Sequence, residues 1–134
     1  MNLDSILVVD DSPDNVELIR ILLESEGFEV RSAGDAAEAL ETLRTYRPGL
    51  ILMDVQLPGM DGLELTRLLR RNEELRDIPI LALTAYAMKG DEDKALEAGC
   101  DGYAPKPIDT RTFPLRVREF LASARAGRGV HQPV

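Results

Sequence analysis

Asp10, Asp11, Asp54, Thr84 and Lys106 are spread over most of a 134-residue chain, yet each follows a short apolar run. Asp54 closes the run Leu50-Ile51-Leu52-Met53, and Val55 comes next. A carboxylate in that setting loses hydration, which is costly unless it is protonated, paired or bound to a metal. Three carboxylates brought together repel one another, and a hard divalent cation resolves the repulsion. Mg2+ takes oxygen ligands and keeps several waters, which leaves room for a phosphoryl oxygen. With the ion screening two anions from each other, Asp54 could act as a nucleophile toward phosphorus. Lys106 would bring a point charge to another phosphoryl oxygen, and Thr84 a hydroxyl. The product, an aspartyl phosphate, is a mixed anhydride that hydrolyses readily. Singly, each residue has an ordinary alternative: Asp11-Ser12-Pro13 a helix start, Thr84 a strand residue, Lys106 a solvated charge.

The chemistry requires a fold that gathers these residues, and the patterning supplies one. Ile6 to Val9 is a β-branched run ending in Asp10-Asp11. Val16, Ile19 and Leu23 recur at helical spacing, with Gly27 where a C-cap belongs. Phe28 to Ala33 alternates weakly, as an edge strand does. Asp35 with Glu38, and Asp61 with Glu64, read as capping boxes. The first opens a helix carrying Ala36, Leu40 and Leu43, the second a helix with Leu65, Leu68 and Leu69. Leu50 to Met53 is the most buried-looking strand, and Pro79 introduces another over Ile80 to Thr84. The helix within Lys89 to Ala98 is acidic, with only Ala95, Leu96 and Ala98 to bury, so it is expected to be locally weak and mobile. Gly102 to Pro105 is a last brief strand, and Leu115 to Leu121 belongs to a closing helix. Strands separated by helices predict a doubly wound α/β domain whose parallel sheet is covered on both faces. In such folds ligands bind beyond the carboxyl ends of the strands, where all five residues lie.

Bulk composition narrows the function. The formal net charge is −8, from 24 acidic and 16 basic residues, so a phosphate backbone is an unsuitable partner and no direct nucleic acid binding is expected. No apolar run approaches the roughly 20 residues of a membrane span, and the N-terminus has no basic region of a signal peptide. The single cysteine, Cys100, suits a reducing cytoplasm and reads as a small buried residue. The expected domain covers residues 1–124, with 125–134 a disordered tail in which His131 is incidental.

The stretches VVDDSPDN, LILMDVQLPGMDG, ILALTAYAMKGD, EAGCDGY and APKPID together resemble the receiver domain of bacterial two-component response regulators, the CheY-like family. The resemblance runs from about Ser5 to Ala122 and looks closest to single-domain regulators of the DivK type and to receivers of hybrid histidine kinases. It implies a five-stranded parallel sheet in the order 2-1-3-4-5. Position by position it implies that Asp54 is the phosphoacceptor. Asp11 would ligate Mg2+ directly, Asp10 largely through water, and the backbone carbonyl of Gln56 would be the third protein ligand. Thr84 matches the switch hydroxyl, and Lys106 the lysine that contacts the phosphoryl group, its bond to Pro107 being cis. Tyr103 matches an aromatic switch that turns inward as Thr84 is drawn to phosphate; the plainer reading of Tyr103 is a strand aromatic packing on the core. Ala85 is small and keeps phosphoryl access open, while the side chains of Gln56 and Tyr86 flank the site where dephosphorylation is tuned.

The phosphodonor implied is a sensor histidine kinase or a histidine phosphotransfer protein, docking near Asn15, Val16, Ile19 and Pro107. After Leu121 only 13 residues remain, fewer than a helix-turn-helix needs, so the expected output is contact with a downstream protein target. One local departure is Pro114, which cannot occupy the middle of a helix without losing about 3 kcal/mol or more. Regular helix is therefore expected to begin near Thr112 or Phe113, with Pro114 in its first turn. Three rivals remain. A haloacid-dehalogenase-like phosphohydrolase also uses Asp, Mg2+, Thr and Lys, but Gln56 stands where its second aspartate belongs and no cap domain is present. A flavodoxin-like cofactor module would meet repulsion from Asp10, Asp11 and Asp14 at its phosphate loop. A receiver-shaped protein that never gains phosphate would have little need of all five residues.

Overall fold

In this computed structural model, residues 2–84, 89–126 and 132–133 are described. The elements alternate as β1 (Asn2–Val9), α1 (Pro13–Glu24), β2 (Glu29–Ala33), α2 (Ala36–Thr42), β3 (Pro48–Asp54) and α3 (Gly62–Arg71). They continue as β4 (Ile80–Thr84), α4 (Lys89–Ala98), β5 (Gly102–Pro105), α5 (Phe113–Ala126) and β6 (Gln132–Pro133). All strand pairs are parallel, in the order β2-β1-β3-β4-β5-β6. The expected order 2-1-3-4-5 is present, extended by a two-residue strand within the stretch read from sequence as a tail. Pro133 is compatible with that position, because an outermost strand has no ladder bond to lose on its open side.

Alternation along the strands divides the core between the two faces. Leu7, Val9, Ile51, Met53, Ile80 and Ala82 pack with Ala36, Ala39, Leu65, Leu69 and Ala95 on one side. Ile6, Val8, Leu50, Leu52, Leu81 and Leu83 pack with Ile19, Leu23, Phe113, Val117 and Phe120 on the other. Every residue of β3 is buried, which is why its sequence is a continuous apolar run rather than an alternating one. Each fully buried Leu or Ile there contributes about 1.5–3 kcal/mol.

The helix starts follow the side chains that cap them. Ser12 caps α1, with Pro13 beginning the first turn, and Asp35 and Asp61 accept the backbone N–H of Glu38 and Glu64 at 2.8 Å each. α5 begins at Phe113, so Pro114 falls in the first turn, where no intrahelical donor is missed. Leu65, Leu68 and Leu69 all lie in α3 as expected; Leu65 and Leu69 are buried, whereas Leu68 is 39% exposed. α3 has one buried stripe, and Leu68 lies outside it.

The end of α3 is tied down by Arg70. Its guanidinium donates to the carbonyls of Gly99, Arg76 and Ile78 and to Asp101 Oδ2, each at 2.8 Å. Asp101 Oδ2 also accepts the N–H of Ile80 at 2.9 Å, so one charge-assisted knot joins α3 to the starts of β4 and β5. Beside it, Cys100 is fully buried, and burial pushes its thiol up from 9.0 to about 11. Near neutral pH that lowers the thiolate fraction roughly 100-fold. Native protein should therefore react with a disulfide reagent far more slowly than the denaturant-unfolded chain. Comparable rates in the two states would show that the thiol is accessible.

Candidate functional site

Strand register assembles the site. Val9 of β1 pairs with Met53 of β3, so the residues that follow, Asp10 and Asp54, arrive level with each other. Asp54 pairs with Leu83 of β4, which places Thr84 one residue beyond it on the neighbouring strand. Thr84 pairs with Pro105 of β5, and the Lys106 N–H donates to the Thr84 carbonyl at 2.8 Å. Four of the five residues read from sequence are thus delivered by four strands to one end of the sheet, and Asp11 follows Asp10.

Asp10 and Asp54 are almost fully buried, at 2% and 3% exposure, while Asp11 is exposed at the mouth of the cluster. Carboxylate oxygens of Asp10, Asp11 and Asp54 all lie within 4.8 Å of one another. Lys106 Nζ donates to Asp54 Oδ2 at 3.0 Å and lies 3.5 Å from Asp10 Oδ2. Asp54 Oδ1 accepts the N–H of Gln56 at 2.9 Å, so the exposed Gln56 belongs to the same turn. The Lys106-Pro107 bond is cis, as the family pattern implies.

One ammonium against three carboxylates leaves an excess of negative charge in a partly desolvated cleft. Burial pushes the Asp54 carboxyl above its ordinary 3.8, and Asp10 adds to the rise, against the pull of the Gln56 N–H and Lys106. Burial works against the charged form of Lys106, but its bonds to Asp54 and Asp10 outweigh that and hold its pKa above 10.5. The donor set is made of hard oxygens converging at close range, which fits Mg2+ or a similar cation. Thr84 is buried at the end of β4. Tyr103 is half-buried in β5 and packs against the core face that carries Met53 and Ala82.

Other expectations fare differently. Ala85 and Tyr86 lie outside the described residues. Ile19, expected at a docking surface, is fully buried, and Ile21 is the exposed apolar residue of α1 at 59%. Asn15, expected at that same surface, is half-buried and directs its amide at Asp10. It lies in the first turn of α1, the helix that begins beside the site.

A parallel sheet with an acidic cluster, a threonine and a lysine at its carboxyl ends is a doubly wound α/β domain with its polar site beyond the strand ends. The response regulator receiver domain family matches residues 6–118, and the chain belongs to that family. It is similar to the polar-differentiation response regulator DivK of Brucella anthropi, at 43% identity over 120 residues, covering 90% of this chain and 98% of the relative. A CheY-like response regulator receiver domain protein from Methanospirillum hungatei superimposes with a TM-score of 0.82 at 30% identity, over 93% of this chain and 98% of that one. The receiver domain of a sensor histidine kinase from Pseudomonas aeruginosa, whose active site cleft coordinates magnesium, gives 0.79 at 36% identity, over 88% and 97%. The haloacid-dehalogenase-like alternative finds no support among these relatives. The family is one of signalling proteins that interact with sensor kinases and downstream targets. Among the described residues no helix is long and apolar enough to cross a membrane.

Proposed function

We propose that this receiver accepts a phosphoryl group onto Asp54 from the phosphohistidine of a sensor histidine kinase or a histidine phosphotransfer protein. The observation that carries this is the close approach of the Asp10, Asp11 and Asp54 carboxylates beside Lys106. Asp10, Asp11, Asp54 and the Gln56 carbonyl would hold Mg2+, which when bound screens the approaching phosphoryl oxygens from the carboxylates. An Asp54 oxygen attacks phosphorus, the P–N bond breaks, and the electron pair leaves with the donor imidazole. Lys106 stays beside Asp54 and takes a phosphoryl oxygen in place of the carboxylate contact it now makes. Thr84, one residue past Asp54 on the adjacent strand, offers its hydroxyl to another.

The new charge biases a two-state element: Thr84 moves toward the phosphoryl group, Tyr103 turns further inward, and the surface of α4, β5 and α5 changes for a downstream protein target. Chemistry at Asp54 is confined to the protein's own phosphorylation and dephosphorylation, so the domain signals rather than turning over a substrate. We place it in the cytoplasm, in keeping with a bacterial receiver and its single unpaired cysteine.

Incubation with Mg2+ and acetyl phosphate, followed by intact mass, tests this. Wild type should gain one phosphoryl group, lost on EDTA treatment before donor addition, and Asp54→Asn should gain none. A phosphoryl adduct on the Asp54→Asn protein equal to that of wild type would place the acceptor elsewhere.

A further inference from the structure

We propose that Asn15 is a positioning residue for the ion site, its side-chain amide fixing which part of the Asp10 carboxylate faces the acidic cluster. The inference rests on the reading of Asp10 as part of a Mg2+ site.

Asp10 is held from three directions. Oδ1 accepts the Ser12 N–H at 2.9 Å; Oδ2 accepts Asn15 Nδ2 at 2.5 Å and faces Lys106 Nζ at 3.5 Å. A carboxylate offers about four lone-pair sites, so three donors leave one, on Oδ1, for an ion or its bound water. The Asn15 amide is suited to the task because it is neutral. It orients a carboxylate without setting a second positive charge beside Lys106, which would compete with the cation.

The segment from Asp10 to Asn15 closes on itself. Ser12 Oγ accepts the Asn15 N–H at 3.3 Å, Pro13 begins the helix, and the Ser12 carbonyl accepts the first helical bond from Val16 at 3.0 Å. The same short segment therefore starts α1 and sets the Asn15 side chain beside Asp10, through a bond that does not involve the Ser12 hydroxyl. Partners of this kind around metal ligands typically cost about 10–100-fold in metal affinity when removed.

The test is Mg2+ titration by calorimetry on wild type, Asn15→Leu, Asn15→Ala and Ser12→Ala, with thermal midpoints measured in EDTA. Asn15→Leu keeps the branching and heavy-atom count of the side chain and removes its donors, and Asn15→Ala removes them without adding bulk. Both Asn15 variants should stay folded and bind Mg2+ about tenfold more weakly. Ser12→Ala loses the cap but keeps both donors on Asp10, so its midpoint should fall while its Mg2+ affinity holds. Asn15 variants that bind as tightly as wild type, or that unfold in EDTA, would overturn the inference, as would a Ser12→Ala loss of affinity equal to theirs. Wild type showing no Mg2+ binding would instead remove the ion-site reading itself.

Discussion

Asp54→Asn should make the metal-free protein more stable and the Mg2+-loaded protein less so. The Asp54 carboxyl is raised in the folded state, first by burial and also by Asp10, despite the Gln56 N–H and Lys106. A raised value means that the folded chain holds the proton more tightly than the unfolded chain does. The stability from that proton is present below the ordinary 3.8 and is lost as pH rises through the folded value. At neutral pH the ionised side chain therefore works against folding, and an uncharged isostere does not. Asp54→Asn removes one of two crowded buried carboxylates, and Lys106 keeps Asp10 as an anionic partner at 3.5 Å. In a domain of this size a gain of about 1 kcal/mol is a few degrees in Tm. The gap between variant and wild type should close as pH is lowered toward 3.8, where wild-type Asp54 becomes neutral too.

Mg2+ reverses the order. An ion that binds only the folded state adds about 2.7 kcal/mol at a hundredfold excess over its Kd, and the variant has lost one of its carboxylates. Thermal melts in EDTA and in saturating Mg2+, at neutral and acidic pH, should show the two curves exchanging rank. Lower stability of the variant in EDTA would mean that the Lys106–Asp54 contact outweighs the charge excess. Equal Mg2+ stabilisation of both proteins would mean that Asp54 is not part of the ion site.

How much of this was legible beforehand depends on whether a feature is written in local sequence or in register. Asp54 stood out because β3 is buried on both faces, so its apolar run has no alternation to hide a carboxylate in. The start of α5 was legible for a similarly local reason: Pro114 restricts where a helix begins, whatever surrounds it. Helical spacing placed Ile19 correctly on the apolar stripe of α1, and the docking role that the resemblance implied for it does not fit its full burial. Spacing also leaves the edges of a stripe open, so the exposure of Leu68 is decided by what the sheet covers. The meeting of Asp10 with Asp54 was visible only as a consequence of the fold, since it depends on Val9 pairing with Met53. The Asn15 contact was harder still. It needs the angle at which α1 leaves β1, which does not follow from residue types. The pairing of residues 132–133 with β5 had no sequence signal, because two residues carry no periodicity.

Gly62→Ala should be far more damaging than Gly27→Ala, and it should act on the site as well as on the fold. A Cβ at Gly62 would meet the Asp54 carbonyl oxygen at 2.1 Å, its carbon at 2.9 Å and Val55 Cα at 3.0 Å. All three are backbone atoms of the turn at Asp54 and Val55, so no side chain can swing aside to make room. Gly62 N–H also donates to the Val55 carbonyl at 3.0 Å, which fixes the start of α3 against that turn. Relief requires the helix and the strand end to separate, at about 3 kcal/mol, the upper end for overpacking. Because Asp54 is the residue displaced, Mg2+ affinity should fall in the protein that remains folded. Gly27→Ala is the control. Its φ of +92° strains any L side chain, but nothing lies within 4 Å of the added carbon, so it should cost about 1 kcal/mol and leave Mg2+ binding intact. Denaturant unfolding and Mg2+ titration of the two variants separate crowding from backbone strain. A Gly62→Ala protein as stable as Gly27→Ala, with wild-type Mg2+ affinity, would show that α3 is free to move away from Asp54 without disturbing it.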